Sequence, residues 1–139
     1  MKKYKIILLI SFSLIITACL FAKDYTKMFY RGTFLSQKEA EKKWGTKELD
    51  INSWKNGTIQ DRAAMTASLL KNKKKYIRKP NTEIVTLFGK PDSYYISDLI
   101  PAYVVQEYKK EGDEGWELVF LIDRNDKIID IKAHRQYPK

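Results

Sequence analysis

Between Asp61 and Asp92 apolar side chains return at the spacing of helical turns, and beyond Pro91 the period drops to two. Met65 and Leu69 stand one turn apart, Ala63, Ala64 and Ala67 permit close approach, and Thr58 or Asp61 can cap the start. A second helix follows. In it Ile84, Leu87 and Phe88 fall at i, i+3 and i+4, with Glu83 and Thr86 on the opposite face. Gly89 sits just past the last apolar residue, where a left-handed C-cap costs a glycine little, and Pro91 cannot continue the helix. Ser93 to Ser97 then reads as a short edge strand, interrupted by Asp98 to Pro101. Ala102 to Tyr108 and Trp116 to Ile122 are further strands across a polar hairpin loop, Lys109 to Gly115. After the turn at Asp123 to Lys127, a last strand runs from Ile128 to about His134. The pattern predicts an α+β fold: two short helices packed on one face of a three- or four-stranded antiparallel meander.

The last hairpin can be paired residue by residue. A four-residue loop at Arg124 to Lys127 sets Ile122 against Ile129, Phe120 against Ile131 and Leu118 against Ala133, all on the core face. The other face carries Val119, Leu121 and Ile128 among Glu117, Asp130, Lys132 and His134, a mixed surface that could stay wet or receive a partner. In the preceding hairpin, either Tyr103 and Val105 or Val104 and Tyr108 could point inward. Upstream, residues 20–35 hold no sustained period and read as a linker. Ser36 and Glu39 have capping-box spacing, opening a short helix to Trp44 that Gly45 ends. Lys47 to Gly57 shows no clear period, and Trp54 is expected to tuck against the core.

The amino end changes the picture from fold to address. Lys2, Lys3 and Lys5 precede a 13-residue run, Ile6 to Ala18, that is apolar apart from Ser11, Ser13 and Thr17, the layout of a secretory signal. Ile16-Thr17-Ala18-Cys19 resembles the bacterial lipobox. The resemblance implies that Cys19 is lipidated, becomes the first mature residue and holds the protein on a membrane through acyl chains. Cleavage after Ala22, or retention of Ile6 to Ala22 as an uncleaved anchor, are the competing readings; all three export the remainder. The organisation expected is therefore a signal peptide (1–18), a lipidated cysteine and tether (19–35), a short helix and loop (36–57) and an α+β domain (58–139). Cys19 is the only cysteine, so no disulfide can form within the chain. Without the three signal lysines, 23 basic and 17 acidic side chains remain, a net charge of +6. Much of the surplus lies in Lys71, Lys73, Lys74, Lys75, Arg78 and Lys79, expected to be a solvated loop; export argues against nucleic acid as a partner.

Asp61-Arg62 to Met65, Leu69-Leu70, Glu83-Ile84, Leu87-Phe88-Gly89-Lys90-Pro91-Asp92, Tyr108, Phe120 to Asp123 and Lys127-Ile128 together resemble small bacterial lipoproteins of the BamE (SmpA/OmlA) type. That family shares an ααβββ fold with the domains of β-lactamase inhibitor proteins. The resemblance covers roughly Asp61 to Arg135. It implies an outer-membrane lipoprotein facing the periplasm, an accessory in outer-membrane assembly with a protein partner in the envelope. Leu20 after Cys19 is compatible with that sorting. The chain departs from the family at Arg78-Lys79-Pro80, where typical members read Gly-Met-Thr, and at Tyr30-Arg31-Gly32 in the tether, where BamE carries a Gln-Gly pair.

Catalytic chemistry has little to stand on. His134 is the only histidine and falls opposite Glu117, read as a surface pair. No metal-ligand spacing exists once Cys19 carries lipid, Asp123, Asn125 and Asp126 lack the glycine and glutamate of a calcium loop, and no nucleophile or phosphate-cradling motif occurs. No cofactor, metal or catalytic residue is therefore expected. The candidates for partner contact are Tyr103, Val119, Leu121, Tyr30 and Arg31. Met65, Leu69, Ile84, Leu87, Phe88, Gly89, Pro91, Leu118, Phe120, Ile122, Ile129 and Ile131 are structural. A periplasmic ligand-binding or enzyme-inhibiting module, acting through the Lys109 to Gly115 loop, is the alternative.

Overall fold

Four α-helices and five strands occupy residues 32–136, the part described by the computed structural model; the chain divides into two units at Gly32 and Thr33. In order they are β1 (Phe34–Leu35), α1 (Gln37–Trp44), α2 (Ile51–Asn56), α3 (Ile59–Lys71), a 3-10 turn (Lys73–Lys75), α4 (Asn81–Phe88), β2 (Ser93–Tyr94), β3 (Pro101–Gln106), β4 (Gly115–Ile122) and β5 (Ile128–Gln136). The strands form one antiparallel sheet in the order β1-β5-β4-β3-β2. The class is the expected α+β one. The fifth strand is Phe34–Leu35, which belongs not to a tether but to the sheet edge, opposite His134 and Ala133.

Local chemistry explains where the helices begin. Ser36 and Glu39 form a complete capping box at α1, and Thr58 and Asp61 form another at α3. In the second, the Thr58 amide donates to Asp61, with Lys47 alongside, and together they hold the Asp61 carboxyl down at about 2. α2 was not expected. Its start is marked by Asp50, whose carboxylate accepts the Ser53 amide at 2.7 Å, and it carries Trp54 into the core. α4 has no side-chain cap, and its first amide, Asn81, donates instead to the Asp126 carbonyl at 2.8 Å. At its far end Gly89 has φ 88° and ψ −177°. This is an extended, glycine-only region rather than the left-handed helical cap anticipated.

The core joins the helices to one face of the sheet. Phe88 is its centre: its ring lies 5.1 Å from Phe120, 5.3 Å from Tyr76 and 5.6 Å from Trp54. Met65, Leu69 and Ile84 complete the helical side, and Tyr103, Val105, Leu118 and Ile131 the sheet side. Tyr103 and Val105 are thus the inward pair of the first hairpin, while Tyr108 is exposed.

Two bulges adjust the registers. In the last hairpin Leu118 faces Ala133 and Phe120 faces Ile131, but Ile122 faces Ile128 rather than Ile129. The extra residue on β5 sends Ile128 into the core and leaves Ile129, expected inside, 40 % exposed. The turn explains the shift. Asp123 Oδ1 accepts the amides of Asn125 and Lys127, the Asp123 amide donates to the Lys127 carbonyl, and Asp126 takes φ 62°. Lys127 thus pairs with Asp123 and closes a turn of three residues, 124–126, rather than the four expected, so Ile128 follows opposite Ile122. The second bulge, between Val104 and Gln106 on β3, sets Gln106 opposite Trp116 and aims it towards α1.

Candidate functional site

Three of the five residues proposed from sequence as a contact surface are not on the surface. Tyr103, Val119 and Leu121 are all buried. Tyr103 ties β3 to the end of α4: its hydroxyl donates to the Gly89 carbonyl at 2.8 Å, and burial pushes its pKa well up. Alternation along β4 placed Val119 and Leu121 on the outer face correctly but could not show that this face is also closed. Cys19, Tyr30 and Arg31 lie outside the described residues.

A polar cluster closes part of that outer face. Registers align Val104, Glu117, His134 and Phe34 in one row across four strands. Glu117 is only 3 % exposed and His134 8 %, so the expected surface pair is a buried one. Three side chains meet the Glu117 carboxylate: His134 Nδ1 at 3.0 Å, Gln136 Nε2 at 3.0 Å, and the Ser93 hydroxyl, which donates to it. Gln136 Nε2 also reaches Ser93 Oγ at 2.9 Å. Gly115 makes that reach possible, since a Cβ there would stand 3.0 Å from Gln136 Oε1. The Tyr95 ring packs edge-on against the imidazole with centroids 4.6 Å apart, and Phe34 lies at 5.4 Å. Serine, glutamate and histidine are the residue types of a hydrolase, but their connection here is different. Ser93 gives its proton to the carboxylate and not to the imidazole, so His134 is not placed to activate it. The cluster pins β2, β4 and β5 together.

On either side of Tyr95, apolar residues face water. Tyr94, at the end of β2, is 55 % exposed, and in the β2–β3 connection Ile96 is 73 % and Leu99 70 % exposed. Ile96 also has φ 63°, an unfavourable conformation for a β-branched residue. The Leu99 carbonyl accepts the Asn81 side-chain amide at 3.4 Å, fixing the far side of the connection to the start of α4. The edge strand expected over Ser93 to Ser97 is present only as Ser93–Tyr94, and its expected extension hid this feature; the signal available was a Ser-Asp interruption flanked by aliphatics.

At the opposite end of β3 lies a cleft of about 500 Å³ between α1, the start of α3 and the β3–β4 loop. Its wall is built by bonds within the protein. Trp44 Nε1 donates to Gln106 Oε1 at 3.0 Å, and Gln106 Nε2 donates to the Glu114 carbonyl at 2.7 Å. The Glu114 carboxyl is held below its ordinary range, first by the Trp116 indole at 3.1 Å and then by Lys43 at 3.2 Å. Neither bridging residue was legible as functional from sequence.

The basic run is partly engaged: Lys73 pairs with Asp130 and Lys79 with Glu83, while Lys71, Lys74, Lys75 and Arg78 are exposed. Among the described residues no group of His, Cys, Asp and Glu could hold a metal ion, and no helix is long and apolar enough to cross a membrane. No family model, curated protein or solved structure matches the chain.

Proposed function

We propose that this chain is an exported, lipid-anchored protein of the cell envelope that acts without catalysis, presenting its α+β domain to another protein. The role is that of BamE-type lipoproteins in outer-membrane assembly, with Cys19 as the lipid site. The observation that supports an interaction role is the β2–β3 connection. Ile96 and Leu99 expose aliphatic surface on a segment whose root, Ser93 and Tyr95, is fixed in the buried cluster. Exposed aliphatics and a strained isoleucine each cost stability, and burial against a partner offsets the first. The contact surface therefore moves from Tyr103, Val119 and Leu121 to Tyr94, Ile96 and Leu99. The polar cluster fits the same reading, because three neighbouring side chains already occupy its buried carboxylate.

Two variants test the two halves. Cys19→Ser should abolish incorporation of labelled fatty acid and leave unprocessed precursor; persistent labelling would refute the anchor. Ile96→Asn combined with Leu99→Ser should reproduce the phenotype of a gene deletion while the protein still accumulates and melts normally. Wild-type behaviour from that variant would refute the contact surface.

A further inference from the structure

The cleft beside Trp44 has a floor and a rim of different character. Trp44, Ile59, Ala63 and Val105 supply apolar surface, while Gln60, Glu107, Lys109 and Asp113 supply hydrogen-bonding groups. Its volume of about 500 Å³ falls in the range of small-molecule sites. The wall needs no rearrangement to bind, because Gln106 already joins Trp44 to the loop.

Charge decides what kind of molecule fits. Three carboxylates, Glu107, Asp113 and Glu114, stand at or beside the rim, and three cations, Lys43, Lys109 and Arg135, stand among them. Glu114 is shared by Lys43 and Arg135, and Glu107 has Lys109 at 3.8 Å. An anion or a cation therefore gains little net attraction. A purely apolar ligand would strip water from Gln60 and Asp113 and return nothing for it. A neutral molecule with hydroxyls along its edge and a C–H face meets both demands. We propose that this cleft is a saccharide-binding site. The C–H face of a sugar ring lies over Trp44 and the Ala63–Val105 floor, hydroxyls donate to Asp113 and Glu107, and the Gln60 amide serves a further hydroxyl as donor or acceptor.

Nothing in saccharide binding requires the lipid on Cys19 or a protein at Ile96, so the two proposals fail separately. The test uses the full chain in detergent micelles, titrated with the N-acetylglucosamine trimer, with maltotriose and with trilysine. Heat is read by calorimetry and tryptophan emission by fluorescence; Trp54 and Trp116 are buried and Trp44 is the half-buried reporter. Saturable heat and an emission shift with one of the two sugars are expected, weakened about tenfold by Asp113→Ala and several-fold by Gln60→Ala. Both replaced side chains are outside the core, so circular dichroism should be unchanged. The proposal is overturned if neither sugar saturates, if trilysine alone does, or if sugar affinity is the same in both variants.

Discussion

On the helix-covered face of the sheet β4 sets Phe120 against Phe88, ring to ring at 5.1 Å, while on the opposite face the same strand holds Glu117 to His134 at 3.0 Å. The first contact belongs to a core whose packing is adaptable: hydrophobic side chains of similar volume can replace one another at modest cost. The second is directional. It joins groups from β2, β4 and β5 through one carboxylate, with Tyr95 and Phe34 against the imidazole, so it specifies which strands meet and where the β2–β3 connection starts. The apolar face supplies stability, and the polar face positions the exposed loop.

Breaking the apolar face should cost most. Phe120→Ala opens a cavity beneath Phe88 and Tyr103 and is expected to lower unfolding stability by about 3–5 kcal/mol in chemical denaturation. An unchanged midpoint would place Phe120 outside the core. On the polar face, His134→Ala leaves the Glu117 carboxylate buried with two donors instead of three, and about 2–4 kcal/mol should be lost. That variant should also loosen Ser93 to Leu99, seen as faster amide exchange there than in α3; uniform exchange would mean that the cluster does not position the loop. Gly89→Val forces a branched side chain into a glycine-only backbone region and should cost about 1–3 kcal/mol. Space is not the cause, since a Cβ there meets nothing closer than Lys55 at 3.7 Å. Smallest, and opposite in sign, is Ile96→Asn. Asparagine tolerates positive φ, so the midpoint should stay level or rise, by at most ~1 kcal/mol. A large fall would show that the Ile96 side chain is packed within the monomer.

The sequence made the apolar face legible and the polar face only half so. Ser36 with Glu39 marked α1, and alternation from Leu118 to Ala133 gave two correct cross-strand pairs, because each signal is local. Ile129 went wrong through one residue: a four-residue loop leaves Lys127 in the turn but pairs Ile122 with Ile129, whereas the bulge hands that place to Ile128. Nothing in a period of two marks a bulge. α2 is six residues long, too short to show a helical period, and only Asp50 announced it. Alternation likewise put Glu117, Val119 and Leu121 on one face without revealing that this face would be closed. At the Glu117–His134 row, closure depended on Tyr95 and Phe34 coming to lie against the imidazole, long-range events with no local pattern. The exposed aliphatics of the β2–β3 connection and the Trp44–Gln106–Glu114 wall were missed for the same reason: each depends on tertiary placement.

The central claim is that the exposed connection, and not the buried strand residues, meets a protein partner. Photo-crosslinking in the native cell with a reactive amino acid at Ile96, and in parallel at Leu121, tests it most directly. The prediction is one recurrent membrane-fraction protein captured from position 96 and none from 121. Capture from 121 with none from 96, or no capture from either, would contradict it.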